Sequence, residues 1–333
     1  MAEKLKFAFY WAASCGGCEV AVLDINEKIL DVAGLADILL WPVALDFKYK
    51  DVEALPDGHI DVAFVNGGIR NSEGKEIVEL LRRKSKTVVA FGACANFGGI
   101  PGLANFHDRE QIFDRVYRET PSTCNPENVR PRPSFCAPEG ELHIPAFFNN
   151  VYRLKDVITV DYFLPGCPPP PSLILTAVQA IASGNLPPPG SVLGGLSAVC
   201  DSCKRVKQEK KVKGFRRIHE VIPDPERCFL EQGIICCGSV TRDGCGTRCL
   251  NANMPCRGCF GPLPGVVDQG AKLLSAVATL VDSNDPGEIQ AIISQITDPA
   301  GTFYRFGLPN SLLARKVPAR SAAAQERKEA AAT

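Results

Sequence analysis

Short apolar runs alternate with amphipathic stretches along the first half of the chain. The apolar runs have the length of β-strands, and the stretches between them repeat apolar residues three or four positions apart, as helices do. We predict strands at Lys6–Ala12, Asp37–Trp41, Ile60–Val65, Thr87–Phe91 and Val157–Leu164, and helices at Glu19–Val32, from Ser72 to about Lys84, and at Ser172–Ser183. This alternation predicts an α/β fold in which helices cover both faces of a parallel sheet.

The pattern changes at Pro187–Gly190, where three prolines and a glycine predict a domain boundary. Residues 191–265 are rich in Gly, Pro, Cys and basic residues and show no sustained periodicity. Such a segment does not bury enough apolar surface to fold unless something else organises it. Two amphipathic helices are predicted after it, at Val266–Val281 and Pro286–Ile296. We predict one domain at 1–186, a second at 187–318 and a disordered tail at 319–333.

The charge balance and the apolar runs exclude several kinds of partner. The chain has 37 basic and 37 acidic residues, so no overall field attracts nucleic acid or an anionic membrane. The longest apolar runs, such as Ala36–Leu45, are too short to span a bilayer. Met1–Phe7 leads directly into a predicted strand, without the apolar region of a signal peptide. We therefore expect a cytoplasmic protein.

Cysteine is the exceptional residue of the composition, with 15 among 333 residues. In a small secreted protein this content would indicate disulfides. Here the count is odd, the chain is long enough to bury a core, and no export signal is evident. Reduced cysteines in such a chain indicate metal or cluster ligation.

Four cysteines of the first half follow the ends of predicted strands, and a glycine accompanies each of them. They are Cys15 and Cys18 after the first strand, Cys94 after Thr87–Phe91, and Cys167 after the last strand. The carboxyl ends of parallel strands are where open α/β sheets bind ligands, and four thiolates at one point suit a 4Fe–4S cluster. A thioredoxin-like pair at Cys15 and Cys18, or structural zinc, is an alternative. Zinc ligands usually come from two short knuckles, and here they would come from three distant loops.

The second half contains nine cysteines, which make two further sets of four with one left over. They are Cys200, Cys203, Cys228, Cys236, Cys237, Cys245, Cys249, Cys256 and Cys259. Together with the first set they provide twelve ligands, enough for three clusters. Cys124, Cys136 and one member of the Cys236–Cys237 pair remain. We expect Cys124 and Cys136 to be solvent-shielded loop thiols, with an auxiliary site as the alternative.

The motifs around these cysteines resemble the small subunit of nickel–iron hydrogenases over residues 4–316. The resemblance rests on C-G-G-C-E from Cys15, on G-A-C-A followed by G-G-I-P around Cys94, and on P-G-C-P-P around Cys167. In the second half, P-D-P-E-R-C-F-L-E-Q-G, T-R-x-G-C-G and P-C-R-G-C-F-G resemble the gamma subunits of methyl-viologen-reducing, F420-non-reducing hydrogenases, which associate with heterodisulfide reductase.

The resemblance implies a flavodoxin-like domain followed by an irregular iron–sulfur domain with a few helices, and three 4Fe–4S clusters. It implies a proximal set of Cys15, Cys18, Cys94 and Cys167, a medial set of Cys245, Cys249, Cys256 and Cys259, and a distal set of Cys200, Cys203, Cys228 and Cys236. Periplasmic members have a histidine where Cys200 stands, which argues against that branch. The choice of Cys236 over Cys237 follows the family's spacing, which leaves Cys237 without a role.

The resemblance also implies that this chain carries no catalytic residue. A nickel–iron centre uses two C-x-x-C pairs near opposite ends of one chain, and no cysteine follows Cys259 here. Electrons from H2 oxidation in a large subunit would pass through this chain to a small iron–sulfur delta-type subunit and to heterodisulfide reductase.

Three other functions remain as alternatives. They are the cluster subunit of an NADH dehydrogenase, a deazaflavin-reducing hydrogenase small subunit, and a zinc-stabilised scaffold without redox function. Glu19 is expected to cap its helix, with a proton path or a subunit interface as the alternative. His219 is expected to be structural. A basic run from Lys204 to Arg217 is expected to be a solvated face, or else a docking surface for an acidic redox partner.

Overall fold

A computed structural model describes residues 3–208 and 211–314. The strands are β1 (Leu5–Trp11), β2 (Ala36–Leu40), β3 (Ile60–Asn66), β4 (Ile69–Asn71), β5 (Ser85–Phe91), β6 (Ser134–Ala137), β7 (Gly140–His143), β8 (Phe147–Tyr152) and β9 (Tyr162–Leu164). The α-helices are α1 (Gly17–Leu23), α2 (Ile29–Leu35), α3 (Tyr49–Glu53), α4 (Ser72–Lys84), α5 (Gly92–Phe97), α6 (Arg109–Asp114), α7 (Pro171–Ala182), α8 (Arg248–Asn251), α9 (Gln269–Ala278), α10 (Pro286–Ser294) and α11 (Pro299–Phe303). The predicted tail at 319–333 lies outside the described residues.

Five parallel strands form the central sheet in the order β2-β1-β3-β5-β9. Numbered along the chain, this is the flavodoxin-like order 2-1-3-4-5, in which the connection reverses direction between β1 and β3. The predicted parallel α/β sheet is therefore confirmed. Ligands of such sheets bind beyond the carboxyl ends of the strands, beside that reversal.

The sheet is buried on both faces because its strands are nearly continuous apolar runs. Phe7, Phe9 and Phe64 pack on one face with α1, α2 and α7. Val65 and Val88 pack on the other face, mainly with α4. This double burial fixes the register of the strands, and with it the positions of the loops that follow their ends.

Three predicted elements differ from those observed. The helix expected at Glu19–Val32 is divided into α1, which ends at Leu23, and α2, which begins at Ile29, and Asn26 between them has a left-handed φ of 55°. Only Tyr162–Leu164 of the predicted strand Val157–Leu164 pairs in the sheet, because the residues before it follow a 3-10 turn, Leu154–Asp156. Asp268 caps α9 by accepting from the Ala271 N–H at 2.9 Å, so that helix begins after Val266.

Residues 187–314, here the cysteine-rich region, contain only short helices and isolated bridges up to α9. A core nevertheless forms where α9, α10 and α11 cover the irregular segment, with Phe229, Leu273 and Phe303 among its buried members. Residues 191–265 therefore do not form this core alone: the helices that follow provide one face of it. Several cysteines of the predicted sets belong to this core.

The sheet region, residues 3–186, and the cysteine-rich region meet at a tightly packed contact, here called the glycine seam. A Cβ atom on Gly98 would lie 2.2 Å from Pro309 Cγ, and one on Gly261 would lie 2.1 Å from the ring of Phe97. The N–H of Gly99 donates to Phe306 O at 3.0 Å across the same seam. Glycine at these points lets backbone and ring approach more closely than any other residue would allow. No described helix is long and apolar enough to cross a membrane.

Candidate cluster-binding sites

The four cysteines of the proximal set meet at one edge of the sheet. Cys15 and Cys18 lie at the start of α1, Cys94 lies in α5, and Cys167 follows β9. Each thiol is close enough to influence the ionisation of others in the set. The structure therefore brings together the four cysteines that the sequence predicted as one set.

A buried asparagine ties two of these loops together. The Nδ2 group of Asn96 donates to Ala90 O and Gly92 O at 2.8 Å and to Leu164 O at 3.2 Å. The N–H of Ala93 donates to Gly166 O at 2.6 Å beside it. Asn96 was not predicted from the sequence, although a lone polar residue between Ala95 and Phe97 was a signal. Its side chain fixes the Cys94 loop against the Cys167 loop.

Glycines make room beside the sulfur atoms. Gly92 has a φ of +84°, and a Cβ on it would lie 2.3 Å from Cys18 Sγ. A Cβ on Gly99 would lie 2.4 Å from Cys94 Sγ. The donor set is four sulfurs on glycine-lined backbone, which suits a bulky inorganic core bound by thiolates. The residues present therefore fit a cubane cluster.

Burial shifts the ionisation of these thiols in the metal-free chain. It raises the pKa of Cys94 to about 12 and raises the pKa of Cys18 still further, with smaller contributions from the neighbouring cysteines. A bound metal ion has the opposite effect and lowers the pKa of a thiol, because a coordinated thiol loses its proton. Without a bound metal, the Cys18 and Cys94 thiols therefore stay protonated at neutral pH.

Glu19 does not act as a helix cap. No side-chain bond caps α1, and the Glu19 carboxylate is buried, where it accepts from Trp41 Nε1 and Asn66 Nδ2. Burial raises the pKa of this carboxyl, and the two hydrogen bonds oppose that rise. The capping expectation is wrong; Glu19 instead links α1 to the ends of β2 and β3.

The four cysteines of the medial set line one cavity of about 400 Å³. Cys245 precedes α8, Cys249 lies in it, and Cys256 and Cys259 follow. Cys167 of the proximal set lines the same cavity and is close enough to Cys259 to act on it electrostatically. The medial and proximal sets are therefore neighbours.

The distal set approaches the medial set from the other side. Cys200 is within electrostatic range of Cys203, Cys228 and Cys256, and burial raises its pKa to about 11. A Cβ on Gly238 would lie 3.1 Å from Cys200 Sγ and 3.7 Å from Cys236 Sγ, so both sulfurs approach the same point. The N–H of Cys256 donates to Cys236 Sγ at 3.3 Å. Cys236 therefore lies between the two sets.

Cys237 faces away from that point. Its Cβ lies 3.6 Å from the Cβ position of Gly258, and its thiol lies near the guanidinium groups of Arg257 and Arg305. Burial raises the pKa of Cys237 to about 12, against the opposing influence of the two arginines. Cys236 has extended backbone and Cys237 begins a 3-10 turn, Cys237–Val240, so the two side chains leave the chain in different directions.

Two other cysteines and one histidine stand apart from the sets. Cys124 and Cys136 are exposed, so the expectation of solvent-shielded thiols is wrong. They lie in the long segment between α6 and β8. That segment contains the hairpin of β6 and β7, whose residues are mostly exposed and which the sequence did not predict. His219 is exposed and does not line the medial cavity. Within the described ranges, no three His, Cys, Asp or Glu side chains converge closely enough to hold a single metal ion.

The family model described as "NADH ubiquinone oxidoreductase, 20 Kd subunit" matches residues 15–181, which span the whole proximal set. With the flavodoxin-like sheet, this match defines the class: an oxidoreductase subunit of that family. The iron-sulfur subunit of the F420-non-reducing hydrogenase of Archaeoglobus profundus is 41% identical, covering 94% of this chain and 99% of its own. The corresponding hydrogenase subunit of Methanothermobacter thermautotrophicus is 36% identical, covering 95% and 98%. The chain therefore belongs to the family of nickel–iron hydrogenase small subunits that these two relatives represent.

A solved structure of an NAD+-reducing [NiFe]-hydrogenase in the H2-reduced state is 30% identical to this chain. It covers 56% of this chain and 94% of its own, with a TM-score of 0.48. The NADH dehydrogenase subunit, one of the alternative functions, is related through residues 15–181, whereas the F420-non-reducing hydrogenase subunits match nearly the whole chain.

Proposed function

We propose that this chain is the electron-transfer small subunit of a cytoplasmic nickel–iron hydrogenase of the F420-non-reducing type. One observation supports it above all: the three predicted cysteine sets are consecutive neighbours. Cys167 and Cys259 connect the first set to the second, and Cys256 lies beside Cys236 and Cys200 of the third. Such a row suits the passage of electrons across the subunit.

The proposal assigns one 4Fe–4S cluster to each set. Cys15, Cys18, Cys94 and Cys167 would hold the proximal cluster, Cys245, Cys249, Cys256 and Cys259 the medial cluster, and Cys200, Cys203, Cys228 and Cys236 the distal cluster. Such clusters, when bound, accept and release single electrons at potentials that depend on hydrogen bonds, charge and solvent exposure. The role of the chain itself is to hold the sulfurs and to set the hydrogen bonds, the charge and the solvent exposure around each cluster.

The proximal edge of the sheet is the proposed contact with the catalytic large subunit. Three large apolar side chains are exposed around it, with exposed fractions of 39% for Trp11, 55% for Val20 and 52% for Ile100. Apolar side chains left exposed around a site of this kind suit a permanent subunit interface. Electrons released by H2 oxidation would enter the chain here.

The distal set is the proposed exit. Val206 lies between Cys203 and Cys228 in sequence, its O accepts from the Cys228 N–H at 2.9 Å, and half of its surface is exposed. The chain on either side of Val206 carries four exposed lysines, here called the basic surface: Lys204, Lys207, Lys211 and Lys213. An acidic face of a small iron–sulfur delta-type subunit, which would pass electrons on to heterodisulfide reductase, suits this surface by charge.

Iron and sulfide analysis of the anaerobically purified complex tests the cluster assignment. Three cubanes predict about twelve iron atoms and about twelve sulfides for this chain. The same analysis of this chain expressed alone gives the iron that belongs to it. The difference from the complex is then the iron of the large subunit. Zinc in place of iron would show a scaffold without redox function and would overturn the proposal.

A further inference from the structure

A small basic cavity lies behind the medial set. Its volume is about 110 Å³, and its lining includes Arg216, Arg217, Arg257, Arg305 and His219. We call it the arginine pocket. The one carboxylate that lines it, Asp298, already accepts from the Gly301 N–H at 2.8 Å to cap α11.

Four arginines line the arginine pocket against a single carboxylate, that of Asp298, so positive charge is in excess there. Its four arginines form none of the ion pairs found among residues 3–208 and 211–314, most of which lie in the first 186 residues. Arg257 and Arg305 are half-buried and close enough for each to act on the other electrostatically. Two guanidinium groups held together at reduced hydration carry an energetic cost that a bound anion would offset.

We propose that the arginine pocket is a binding site for a small oxyanion of the size of inorganic phosphate. Guanidinium groups offer paired N–H donors in the geometry that phosphate and similar oxyanions accept in bidentate fashion. Arg217 and His219 are exposed at the rim of the pocket, so an ion from solution has access. The cavity is small enough to select such an ion over a larger organic ligand.

The position of the pocket gives this site a consequence for electron transfer. Arg257 lies between Cys256 and Cys259 of the medial set in sequence, and it interacts electrostatically with Cys249 of the same set. Nearby positive charge stabilises the reduced, more negative state of a cluster, so neutralising that charge lowers its reduction potential. An oxyanion in the pocket would therefore make the medial cluster a stronger reductant. This second step rests on the proposed function, whereas the binding step does not.

Calorimetric titration of the cluster-loaded complex with inorganic phosphate tests the binding. Arg305→Gln is expected to weaken it about tenfold or more, through the loss of a charge-assisted hydrogen bond. Arg305 Nε also donates to Gly301 O at 2.9 Å, so Arg217→Gln, an exposed change, serves as a second variant that cannot fail by unfolding α11. Lys272→Gln, an exposed change on α9 outside the pocket, is the matched control and should bind phosphate as the unaltered complex does.

Potentiometric titration followed by electron paramagnetic resonance tests the consequence. Phosphate should lower the midpoint potential of the medial cluster in the unaltered complex and in Lys272→Gln, but not in Arg305→Gln. Phosphate binding with an unmoved potential would retain the site and overturn its electrostatic role. The site would be overturned if phosphate showed no saturable binding. It would also be overturned if both variants, Arg305→Gln and Arg217→Gln, bound phosphate as well as the unaltered complex. The arginines would then serve only to balance the charge of the cluster itself.

Discussion

Two adjacent cysteines have opposite surroundings. Cys236 Sγ approaches the same point as Cys200 Sγ, whereas Cys237 is turned toward Gly258 and two arginines. We expect Cys236→Ser to lose or convert the distal cluster, because a hydroxyl is a harder and poorer ligand for iron than a thiolate. Electron paramagnetic resonance of the reduced protein measures this.

Cys237→Ser is the matched control, one residue away. It should retain all three clusters, with at most a shift of one potential through a new hydrogen bond to sulfur. If the Cys237 variant loses the distal signal and the Cys236 variant keeps it, the assignment is reversed.

Gly92 is the residue whose missing side chain matters most to the proximal set. Gly92→Ala would place a Cβ 2.3 Å from Cys18 Sγ and 3.6 Å from Gly166 O, so the Cys18 thiol would have to move. We expect the proximal cluster signal to be lost or strongly reduced while the other two remain. Gly58→Ala is the matched control. Gly58 also has a positive φ, +70° compared with +84° at Gly92, and the one atom near its Cβ position is Lys86 Cγ at 4.0 Å. This control should cost about 1–2 kcal/mol of stability from backbone strain alone and keep every cluster.

The loops that carry the proximal set form one surface, at one edge of the sheet. Ser14–Glu19, Ala93–Pro101 and Gly166–Pro170 follow three strand ends, and apolar side chains are exposed beside them. We expect slower amide hydrogen exchange in all three segments when the large subunit is bound. Exchange in α10, in the other region, should not change. Unaltered exchange in the three loops on assembly would contradict the proposed orientation.

The basic surface belongs to the segment that joins two distal cysteine motifs. Replacing Lys207 and Lys211 by Glu should slow electron transfer to an acidic ferredoxin about tenfold at low salt, because charge complementarity mainly controls the association rate. The rate with methyl viologen, a small cation, should not fall. The same double change at Lys75 and Lys86, two exposed lysines outside this region, is the control. An equal loss in both pairs would argue against docking at the basic surface.

The sequence predicted the elements whose pattern comes from burial. All five sheet strands were found because each is an apolar run fixed between two covered faces. The hairpin of β6 and β7 was not, because its side chains are mostly exposed and carry no apolar alternation. The break at Asn26 and the turn before Tyr162 were missed because the apolar periodicity continues through both.

The candidate site shows the same division. Cysteine spacing and strand ends were enough to predict the proximal set, since each ligand follows a local pattern. Asn96 and the arginine pocket were not predictable, because they depend on segments far apart in sequence, such as Arg216 and Arg305, meeting in space. Glu19 was misjudged for that reason too, since its partners come from the ends of other strands.

At the scale of the whole molecule, the two regions differ in what supports them. The sheet has apolar cores on both faces, whereas the core of the cysteine-rich region includes Cys236 and Cys256, members of the proposed distal and medial sets. Removing iron with a chelator should therefore speed amide exchange through residues 196–262 and leave β3 and β5 protected, because metal binding supplies folding energy where a core is small. Equal loss of protection in both regions would show that they unfold as one unit.

The glycine seam fixes a distance. In the proposed row of clusters, electron tunnelling would slow exponentially as the proximal and medial clusters separate, so the close fit of Gly98 to Pro309 and of Gly261 to Phe97 would also influence the rate of transfer. Gly261→Ala, with a Cβ 2.1 Å from the Phe97 ring, should open the seam at a cost of about 1–3 kcal/mol and slow turnover with every cluster in place. Gly265→Ala has a similar φ, +77° against +74°, with no atom in contact, and should leave turnover unchanged. In the proposed function, the absence of a methyl group at Gly98 and at Gly261 would thus help to set the distance between the proximal and medial clusters.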